Sequence, residues 1–505
     1  MKKSVFFTLL ATNSLIKEGS FDEIMGGNEP FNFSHAEREV QRMNSQPLNI
    51  EWSSPSGDRL TFMLPPTVYP PREDTALLLS ALSQRLVHPK SSWLEIGCGS
   101  GVVSWWAATQ GCEVTACDIN PLAVACTRAL FSKHGLKGQI FEGGPGPSVD
   151  GELSQWGGDR LYDVVVWNMP YLSSEVLDEG ALGPMEEAAL TDTDSSGLLQ
   201  RFLLMVKEGR LLTKNGVAFL TVSSSGVGED AEAMAWSQGL AGRTVATTTF
   251  DDGERLHVLA VWRPYADSPI HRLEETASTN DELLEKASSP GASAVAERQT
   301  GGRGRHGRVW ETQPGALLAS WLVANGQNFF HRTVDQLRVG EGVVRLLRRL
   351  AGDASDHVLL KWPNDVWIRP KDGQFSKAGG VLFEAVSQGK KTKVVLGLGL
   401  NTKVNLGSGW AGTHDLGIHL DAGALHTALH ALVASLFEEV PGLRPMKDGH
   451  ARIEAAVLHG ANKFSHLFYR GETTFVEGVE TTGKLVLSGR PDGIDDPDDL
   501  EWSIL

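Results

Sequence analysis

The stretch Ser92–Asp118, SWLEIGCGSGVVSWWAATQGCEVTACD, carries the pattern that decides the fold of the first half of the chain. An apolar segment at 92–96 predicts a buried strand, a glycine-rich turn follows it, and 102–109 predicts a helix before a second strand at 113–118. Such alternation indicates a doubly wound parallel sheet. The alternation continues at 121–134 (helix), 162–167 (strand), 198–212 (helix), 217–223 (strand) and 256–262 (strand).

The second half of the chain follows a different pattern. After a linker at 263–269, RPYADSP, a helix at 279–287 is followed mostly by strands, which predicts a mixed, sheet-rich domain. The strands are predicted at 293–298, 317–322, 358–361, 366–368, 380–385 and 394–400, with helices at 334–351 and 422–440. Strands at 473–477 and 484–488 predict a small β cap before an acidic end. The predicted parts are an extension (1–46), domains at 47–264 and 270–441, and a C-terminal β domain (442–505).

The composition excludes several classes of protein. The chain has 505 residues, 41% hydrophobic and 21% charged, which is ordinary for globular domains and too long for one core. A net charge of -16 argues against a nucleic-acid partner held by bulk electrostatics. The start, MKKSVFFTLLATNSL, resembles a secretory signal only superficially, and no segment is long enough to span a membrane. The four cysteines predict reduced thiols of a cytoplasmic protein and no metal site: Cys98, Cys112, Cys117 and Cys126.

A carboxylate and three glycines mark a ligand site in the opening stretch. Glu95 lies at the strand end, and Gly97, Gly99 and Gly101 occupy the turn, where a ligand can approach the backbone and the helix N-terminus. Asp118 ends the next strand and can bind ribose hydroxyls. The turn alone is compatible with a dinucleotide as well as with a methyl donor.

The tetrapeptide Asn168-Met169-Pro170-Tyr171 follows the strand at 162–167 and favours the methyl donor. In an open α/β sheet the carboxyl ends of the strands face one cleft, so it should lie near the glycine turn. Asn168 can accept a hydrogen bond from a planar NH₂ group, and Tyr171 can stack on that plane. The alternative interpretation is a strand end bounded by proline.

With VYPPREDTALLL (68–79), LEIGCGSGVVS and DINPLAVACT, this tetrapeptide resembles the HemK/PrmC-like release-factor glutamine methyltransferases of the archaeal and eukaryotic branch, over residues 60–262. The resemblance implies N5-methylation of a glutamine in a class-1 release factor by S-adenosylmethionine, with a small activator subunit in part of that family. Alternatives are another amine substrate, such as DNA adenine, and a binding module without turnover. The residues implied are Thr75, Glu95, Gly97, Gly99, Gly101, Asp118 and Asn168 for the methyl donor, and Asn168, Met169, Pro170 and Tyr171 for the acceptor, with Asn168 and Tyr171 catalytic.

A cationic glycine loop, Gly302–Trp310 (GRGRHGRVW), begins the motifs of the second half. Arginines that alternate with glycines let the backbone wrap a phosphate while guanidinium groups donate to it. KWPND (361–365) and KAGG (377–380) follow and place two lysines on strands, where an ammonium can neutralise an oxyanion. Ser278 can cap a helix or face a ligand, and Gly397-Leu-Gly399 predicts close approach of another group to the strand.

Together STN, QTGGRGRHGRVW, KWPND, KAGGVLFE and GLGLN resemble the biotin protein ligase family over about residues 270–490. The resemblance implies activation of biotin with ATP and Mg²⁺ to biotinyl-5′-AMP and its transfer to a lysine of a carboxylase carrier domain. A biotin-responsive regulator is the alternative, although the chain lacks the DNA-binding helix-turn-helix of such family members. The implied biotin and ATP residues are Ser278, Thr279, Asn280, Gln299, Gly302, Arg303, Gly304, Arg305, Arg308, Trp310, Lys361, Lys377, Gly397, Gly399 and Asn401, with Lys377, Asp365, Arg303 and Arg305 catalytic.

The expected fold class is therefore α/β. A Rossmann-like class I methyltransferase domain precedes a mixed α+β catalytic domain of the biotin/lipoate ligase type, and a small C-terminal β cap of SH3-like type ends the chain.

Overall fold

The computed structural model describes nine ranges of the chain: 46–55, 57–84, 88–145, 155–170, 197–326, 333–371, 373–405, 409–443 and 449–504. The predicted N-terminal extension lies outside the described residues up to residue 45. The chain forms two compact units. One comprises residues up to 201 with 219–228 and 247–258, and the other comprises 202–218, 229–246 and 259–505.

The first half of the chain contains a hairpin and a seven-stranded sheet. Its strands are β1 (Leu48–Ser53), β2 (Arg59–Leu64), β3 (Ser92–Ile96), β4 (Glu113–Asp118), β5 (Gly138–Glu142), β6 (Leu161–Asn168), β7 (Leu211–Ser223), β8 (Ala241–Thr249) and β9 (Arg255–Trp262). Its helices are α1 (Glu73–Ser83), α2 (Val102–Thr109), α3 (Pro121–Lys133), α4 (Leu198–Lys207) and α5 (Ala231–Ser237). The sheet order is β5-β4-β3-β6-β7-β9-β8. Strand β3 pairs parallel with β4 and β6, and β4 with β5, so the predicted doubly wound sheet is confirmed.

The order of the strands brings the predicted ligand residues to one edge of the sheet. Strand β3 is buried from Trp93 to Ile96, as expected for a parallel strand covered on both faces. Because β3, β4 and β6 are adjacent and parallel, their carboxyl ends place the glycine turn, Asp118 and Asn168 at the same edge. This is the edge at which open α/β sheets bind ligands.

Several elements of the first half differ from the sequence prediction. The helix predicted at 198–212 ends at Lys207, and β7 begins at Leu211, well before the predicted strand at 217. Gly209 adopts φ +88°, a left-handed conformation that terminates the helix. Helix α5 and strand β8 were not predicted, and α5 is short, with a mostly buried surface that gives no amphipathic period.

The second half is built around another seven-stranded sheet. Its strands are β10 (Ile270–Thr276), β11 (Ser293–Gln299), β12 (Leu317–Gly326), β13 (Val358–Lys361), β14 (Asp365–Ile368), β15 (Ser376–Gln388) and β16 (Lys391–Leu400). Its helices are α6 (Thr279–Lys286), α7 (Thr333–Ala351) and α8 (Ala422–Phe437). The order is β10-β11-β12-β16-β15-β14-β13, parallel between β10 and β11 and antiparallel elsewhere. The predicted mixed, sheet-rich domain is confirmed, although α8 ends at Phe437, before the predicted end at 440.

The C-terminal part contains a helix and two small sheets. Its elements are α9 (Gly449–Ala461), β17 (Phe464–Tyr469), β18 (Glu472–Thr474), β19 (Val476–Val479), β20 (Leu485–Leu487), β21 (Arg490–Ile494) and β22 (Leu500–Ile504). The sheets have the orders β18-β17-β22 and β19-β20-β21. The small C-terminal β structure is confirmed, whereas α9, β17, β21 and β22 were not predicted. None of the described helices is long and apolar enough to cross a bilayer.

Helix α5 packs on α7 and α8 within the second compact unit. The Arg345 and Arg452 guanidiniums lie 2.8 and 3.0 Å from the partly buried Glu232 carboxylate. Burial alone would raise the pKa of Glu232, but the two arginines hold it at about 2. Nearby, the Arg243 guanidinium donates to the backbone oxygens of Ser435, Glu438 and Leu443, in α8 and in the segment after it. These contacts tie the segment around α5 and β8 to the helices of the second sheet.

Candidate active sites

A pocket of about 670 Å³ opens at the middle strands of the second sheet. Strands β15 and β16, helix α6 and the loop 302–310 contribute to its lining, as do the turns after β13 and before β22. This volume lies in the range of small-molecule sites. The second unit therefore contains a site of the right size for a cofactor-sized ligand.

Arg303 fixes the glycine loop to the body of the domain. Its guanidinium donates two hydrogen bonds to Asp281, at 2.6 and 2.8 Å, and two to Glu384, both at 3.1 Å. These two carboxylates raise the pKa of Arg303 further above its ordinary value. Since the guanidinium is occupied by these carboxylates, Arg303 anchors the loop to α6 and β15.

Helix α6 begins in a polar network under the pocket. The Thr279 backbone N–H and hydroxyl both donate to the Gln299 side chain, at 2.7 and 3.0 Å. The buried Ser320 hydroxyl lies 2.7 Å from the Thr279 hydroxyl and 2.5 Å from Asn280 Oδ1. Ser278 occupies the N-cap position, but its side chain makes no capping hydrogen bond. The absence of a capping hydrogen bond therefore favours the prediction that the Ser278 side chain faces a ligand.

The glycines of β16 are required by two side chains of the protein itself. A Cβ added at Gly397 would lie 2.6 Å from Asn280 Oδ1, and one at Gly399 would lie 2.6 Å from Trp310 Cζ2. The close approach predicted at Gly397-Leu-Gly399 is thus made by Asn280 and Trp310, which cover the strand inside the pocket. Both glycines have ordinary φ values, so space and not backbone conformation selects them.

Lys377 and Asp365 form an ion pair at the pocket wall. Lys377 Nζ lies 2.7 Å from Asp365 Oδ1 and 5.3 Å from the centroid of the Trp310 ring. Lys361 also lines the pocket, and burial lowers its pKa, although Asp365 opposes the shift. The site therefore presents two ammonium groups beside one carboxylate.

The turn before β22 faces the glycine loop. Arg308 pairs with Asp498 at 2.6 Å, and both side chains are largely exposed. Asp496, Asp498 and His306 lie close enough together to share a cation, but Asp498 is already paired. Burial lowers the pKa of Arg305, which neighbouring aspartates oppose, and its buried Nη1 has no partner among the described residues. Arg305 is thus a loop arginine with a free donor inside the pocket.

The glycine turn of the first half has the geometry of a ligand cradle. Gly97, Gly99 and Gly101 adopt φ values of +68°, +49° and +82°, which L side chains rarely adopt. At Gly101 an added Cβ would also lie 2.6 Å from the Thr127 hydroxyl. The Asp118 carboxylate accepts from the backbone N–H groups of Gly99 and Asn120, both at 2.8 Å. These hydrogen bonds fix the turn against the end of β4.

Glu95 is buried beneath this turn. It is 4% exposed and accepts a short hydrogen bond from Ser104 in α2. Burial raises the pKa of Glu95 to about 8, because the ionised form is desolvated. Burial thus favours the protonated form of the Glu95 carboxyl group, which contacts Ser104 of α2.

Asn168 ends β6 with its carboxamide held in one orientation. Its Nδ2 donates to the buried Asp74 carboxylate at 3.0 Å, and Tyr69 Oη donates to the same oxygen at 3.1 Å. The buried Asn168 Oδ1 has no partner among the described residues. Because Asp74 accepts this hydrogen bond from the Asn168 N–H, the Asn168 oxygen is left for a ligand.

Two family descriptions match this chain. "Methyltransferase small domain" matches residues 62–201, and "Biotin/lipoate A/B protein ligase family" matches residues 270–401. Residues 62–201 are a small methyltransferase domain, and residues 270–401 are a biotin/lipoate ligase domain. The glycine turn after β3 lies within the methyltransferase domain. The pocket around loop 302–310 lies mostly within the ligase domain and also includes residues from the C-terminal strands.

Individual relatives resemble one domain each. The bifunctional ligase/repressor BirA of Escherichia coli is 30% identical over 182 residues, 33% of this chain and 54% of that protein. The release factor glutamine methyltransferase of Geobacter sulfurreducens is 29% identical over 165 residues, covering 32% and 54%. The ribosomal RNA small subunit methyltransferase C of Chromohalobacter salexigens is 31% identical over 109 residues, covering 21% and 30%. The chain spans about half, or less, of the length of these curated relatives.

Solved structures of biotin protein ligases also resemble this chain. The biotin protein ligase from Aquifex aeolicus in complex with biotin and ATP is 25% identical to it. The match covers 47% of this chain and 96% of that one, with a TM-score of 0.31.

The ligase domain gathers most of the predicted site residues in one pocket. These are Ser278, Thr279, Asn280, Gln299, Arg303, Gly304, Arg305, Arg308, Trp310, Lys361, Asp365, Lys377, Gly397 and Gly399. Gly302 and Asn401 do not line it. The Gly302 carbonyl accepts from the Trp310 N–H at 3.0 Å, and Asn401 is 2% exposed with its Nδ2 on the Ala411 carbonyl. Their predicted roles toward the ligand stay predictions.

Sequence reasoning missed several residues that shape these sites. Asp281 and Glu384 hold Arg303, and Ser320 links Thr279 to Asn280. Glu384 ends the quoted motif KAGGVLFE, so its position was visible, whereas Ser320 stands alone in an apolar strand. In the methyltransferase domain Asp74 belongs to the quoted segment 68–79, but its hydrogen bond with Asn168 was not predicted.

The remaining predicted residues of the methyltransferase domain are placed as follows. Thr75 lies in α1, where its backbone N–H and hydroxyl both donate to Asp74. Met169 is 4% exposed, and Pro170 is partly buried after β6. Tyr171 lies outside the described residues. All four cysteines are buried and free, as the predicted reduced thiols require.

Proposed function

We propose that the chain is a bifunctional cytoplasmic enzyme. The ligase domain would attach biotin to a lysine of a carboxylase biotin carrier domain, and the methyltransferase domain would methylate a protein glutamine. The cofactors of the two families are biotin and ATP for the ligase and S-adenosylmethionine for the methyltransferase. We infer this activity, its substrates and its partners from the residues of the two sites.

The ligase reaction would proceed in two steps. A biotin carboxylate oxygen attacks the α-phosphorus of ATP, the bond to the bridging oxygen breaks, and pyrophosphate leaves. The carrier lysine amine then attacks the biotinyl carbonyl of biotinyl-5′-AMP, and AMP leaves. The first step brings two anions into contact, so cations at that point lower its barrier.

The ligase proposal is carried by the cations that converge on the pocket. Lys361, Lys377 and Arg305 line the same pocket as the glycine strand, and Arg305 retains a free donor among the described residues. Lys377 is assigned to the meeting point of the biotin carboxylate and the α-phosphate. Asp365 is assigned to the reacting lysine amine or to ATP, because it already binds an ammonium at 2.7 Å.

Mg²⁺ is assigned to the phosphate oxygens of ATP. Three of the carboxylates that line the pocket, Asp365, Glu384 and Asp498, are each paired with a lysine or an arginine. Mg²⁺ commonly binds substrate phosphates with one or two protein carboxylates and several waters. The residues present fit a metal that is carried by ATP.

Biotinylation is tested with the purified full chain, biotin, ATP, Mg²⁺ and a recombinant biotin carboxyl carrier domain. The expected result is a mass increase on one carrier lysine, detected by mass spectrometry and dependent on ATP. A biotin-responsive regulator would bind biotin and leave the carrier unmodified. That outcome would remove the ligase proposal.

The methyltransferase proposal is carried by the orientation of Asn168. Its free Oδ1 can accept a hydrogen bond, which fits a substrate that presents an amide or amine N–H. A glutamine side chain satisfies this and suits the resemblance to release-factor methyltransferases. Ribosomal RNA is the second candidate acceptor, because one relative is a ribosomal RNA small subunit methyltransferase.

The acceptor is tested with radiolabelled S-adenosylmethionine and three substrates: a class-1 release factor with its GGQ motif, 16S ribosomal RNA, and double-stranded DNA. The proposal predicts label in the release factor only, and none after GGQ is changed to GGA. A parallel series adds a small activator subunit of the type found in part of that family. Label in RNA or DNA and none in protein would overturn the glutamine assignment.

A further inference from the structure

The ammonium group of Lys361 is surrounded by aromatic rings. Its Nζ lies 4.6 Å from the centroid of the Trp367 ring and 5.7 Å from the centroids of Phe464 and Trp502. All three distances fall within the range of cation–π attraction. We name Trp367, Phe464 and Trp502 the aromatic cage.

The cage joins the catalytic sheet to the C-terminal strands. Trp367 belongs to β14, whereas Phe464 and Trp502 belong to β17 and β22, which pair with each other. The rings also contact one another edge to face, with centroids 5.6 Å apart for Trp367 and Phe464 and 5.1 Å apart for Phe464 and Trp502. Lys361 and Trp502 both line the ligase pocket, so the cage is open on its pocket side.

Aromatic faces hold an ammonium without cancelling its charge. Lys377 illustrates the alternative, because it forms an ion pair with Asp365 at 2.7 Å. Among the described residues no carboxylate lies within ion-pair distance of Lys361. A partly desolvated ammonium that forms no ion pair attracts an anion from the pocket strongly, since a low-dielectric surrounding strengthens the interaction.

We propose that the aromatic cage is a set of positioning residues that directs the Lys361 ammonium at the leaving phosphates of ATP. The proposal rests on the proposed ligase function. When the α-phosphorus bond to the bridging oxygen breaks, the electron pair stays on that oxygen, and the departing pyrophosphate gains negative charge. Lys361 stabilises this charge, whereas Lys377 serves the attacking carboxylate. The C-terminal strands thereby act on adenylate formation.

The proposal predicts that the partial reactions respond differently to loss of a cage ring. Binding of biotin alone involves no leaving phosphate, so its affinity should not change. Transfer from chemically prepared biotinyl-5′-AMP to the carrier bypasses pyrophosphate release and should also be unchanged. Biotin-dependent exchange of labelled pyrophosphate into ATP should fall, with a higher KM for ATP.

The test compares Trp502→Leu, which removes the ring, with Trp502→Phe, which keeps an aromatic face. Loss of one partly buried cation–π contact predicts a fall of about 2- to 30-fold in exchange for the leucine variant and a smaller one for phenylalanine. Phe475→Leu is the matched control, because Phe475 lies in the same C-terminal part and is 62% exposed. Melting temperatures establish that each variant is folded.

A double-mutant cycle separates positioning from a purely structural role. In a Lys361→Met background the cage has no ammonium to hold, so Trp502→Leu should cause no further loss of exchange. An equal loss in both backgrounds would overturn the proposal, as would slower transfer from prepared biotinyl-5′-AMP. A parent chain that performs neither exchange nor transfer would instead refute the ligase function itself. If Trp502→Leu does not fold, Trp502→Phe with and without Lys361→Met decides the same question.

Discussion

Replacing Gly399 with alanine should disturb the ligase pocket through Trp310. The added Cβ would lie 2.6, 2.7 and 2.9 Å from three atoms of the indole ring. Ordinary contacts begin at 3.4 Å, so the ring must move by about 0.8 Å. The same ring faces the Lys377 ammonium at 5.3 Å and lies against Gly380. Its displacement should therefore affect the site at which the two anions meet.

The size of the effect follows from the cost of overpacking. Insertion of one carbon into a well-packed site costs about 1 to 3 kcal/mol. Expressed at the site, this corresponds to a loss of about 5- to 150-fold in the rate of adenylate formation. Gly326→Ala is the control, because Gly326 ends a strand of the same sheet and its added Cβ meets no atom within 4 Å.

The assay is biotin-dependent exchange of pyrophosphate into ATP, measured with the melting temperature of each variant. Gly399→Ala should lose exchange activity, lower its melting temperature, or divide the cost between the two. Gly326→Ala should remain within about 0.5 kcal/mol of the parent in both measurements. Equal behaviour of the two variants would refute the conclusion that Trp310 covers Gly399.

Three further predictions concern stability and the methyltransferase site. Glu232→Gln should reduce the free energy of unfolding by about 3 kcal/mol at pH 7. The reason is that the pKa of Glu232 is lowered from 4.5 to about 2, and each pKa unit corresponds to ~1.4 kcal/mol. An unchanged free energy in denaturant unfolding would mean that the ion pairs of Glu232 contribute nothing. Burial lowers the pKa of His426 and His430 to about 3 and 4, so the unfolded chain binds protons that the native state does not. Stability should therefore be intact above pH 6.5 and fall as the pH decreases toward 4, and His426→Phe should reduce that slope; an unchanged slope contradicts the assignment. Asp74→Asn should allow the Asn168 carboxamide to rotate, because Asp74 no longer fixes which end of the amide faces it. Methyl transfer should fall about 10-fold, while calorimetry should show unchanged binding of S-adenosylmethionine. Equal loss of methyl transfer and of binding would mean that Asp74 has a general structural role.

Much of the architecture is visible in the sequence because it depends on local patterns. Alternating apolar segments define β3 and β4, and the turn between β3 and α2 needs glycine at positions with positive φ. The ligase pocket was also predictable, since its residues lie in short motifs that the second sheet brings together. Local pattern and tertiary arrangement agree at these places.

The parts that escaped prediction depend on tertiary contacts. Helix α5 is seven residues long and mostly buried, so its sequence has no polar face to reveal a period. Ser320 has its role only because its hydroxyl meets Asn280 of α6 in the folded chain. The contact of Lys361 with Trp502 likewise joins two distant parts of the chain. Asp74 and Asn168 are also distant in the chain, 94 residues apart. Sequence spacing cannot indicate such pairs.

The most direct test of the ligase site is the amount of biotinyl-5′-AMP formed from biotin and ATP without a carrier, measured by mass spectrometry. The parent chain should form the adenylate, and Lys391→Ala, a change at an exposed lysine of the same sheet, should match it. Lys377→Ala should form at least about 100-fold less, because it removes the cation at the meeting point of two anions. Adenylate formation that is equal in Lys377→Ala and the parent, or absent from the parent, would contradict the account.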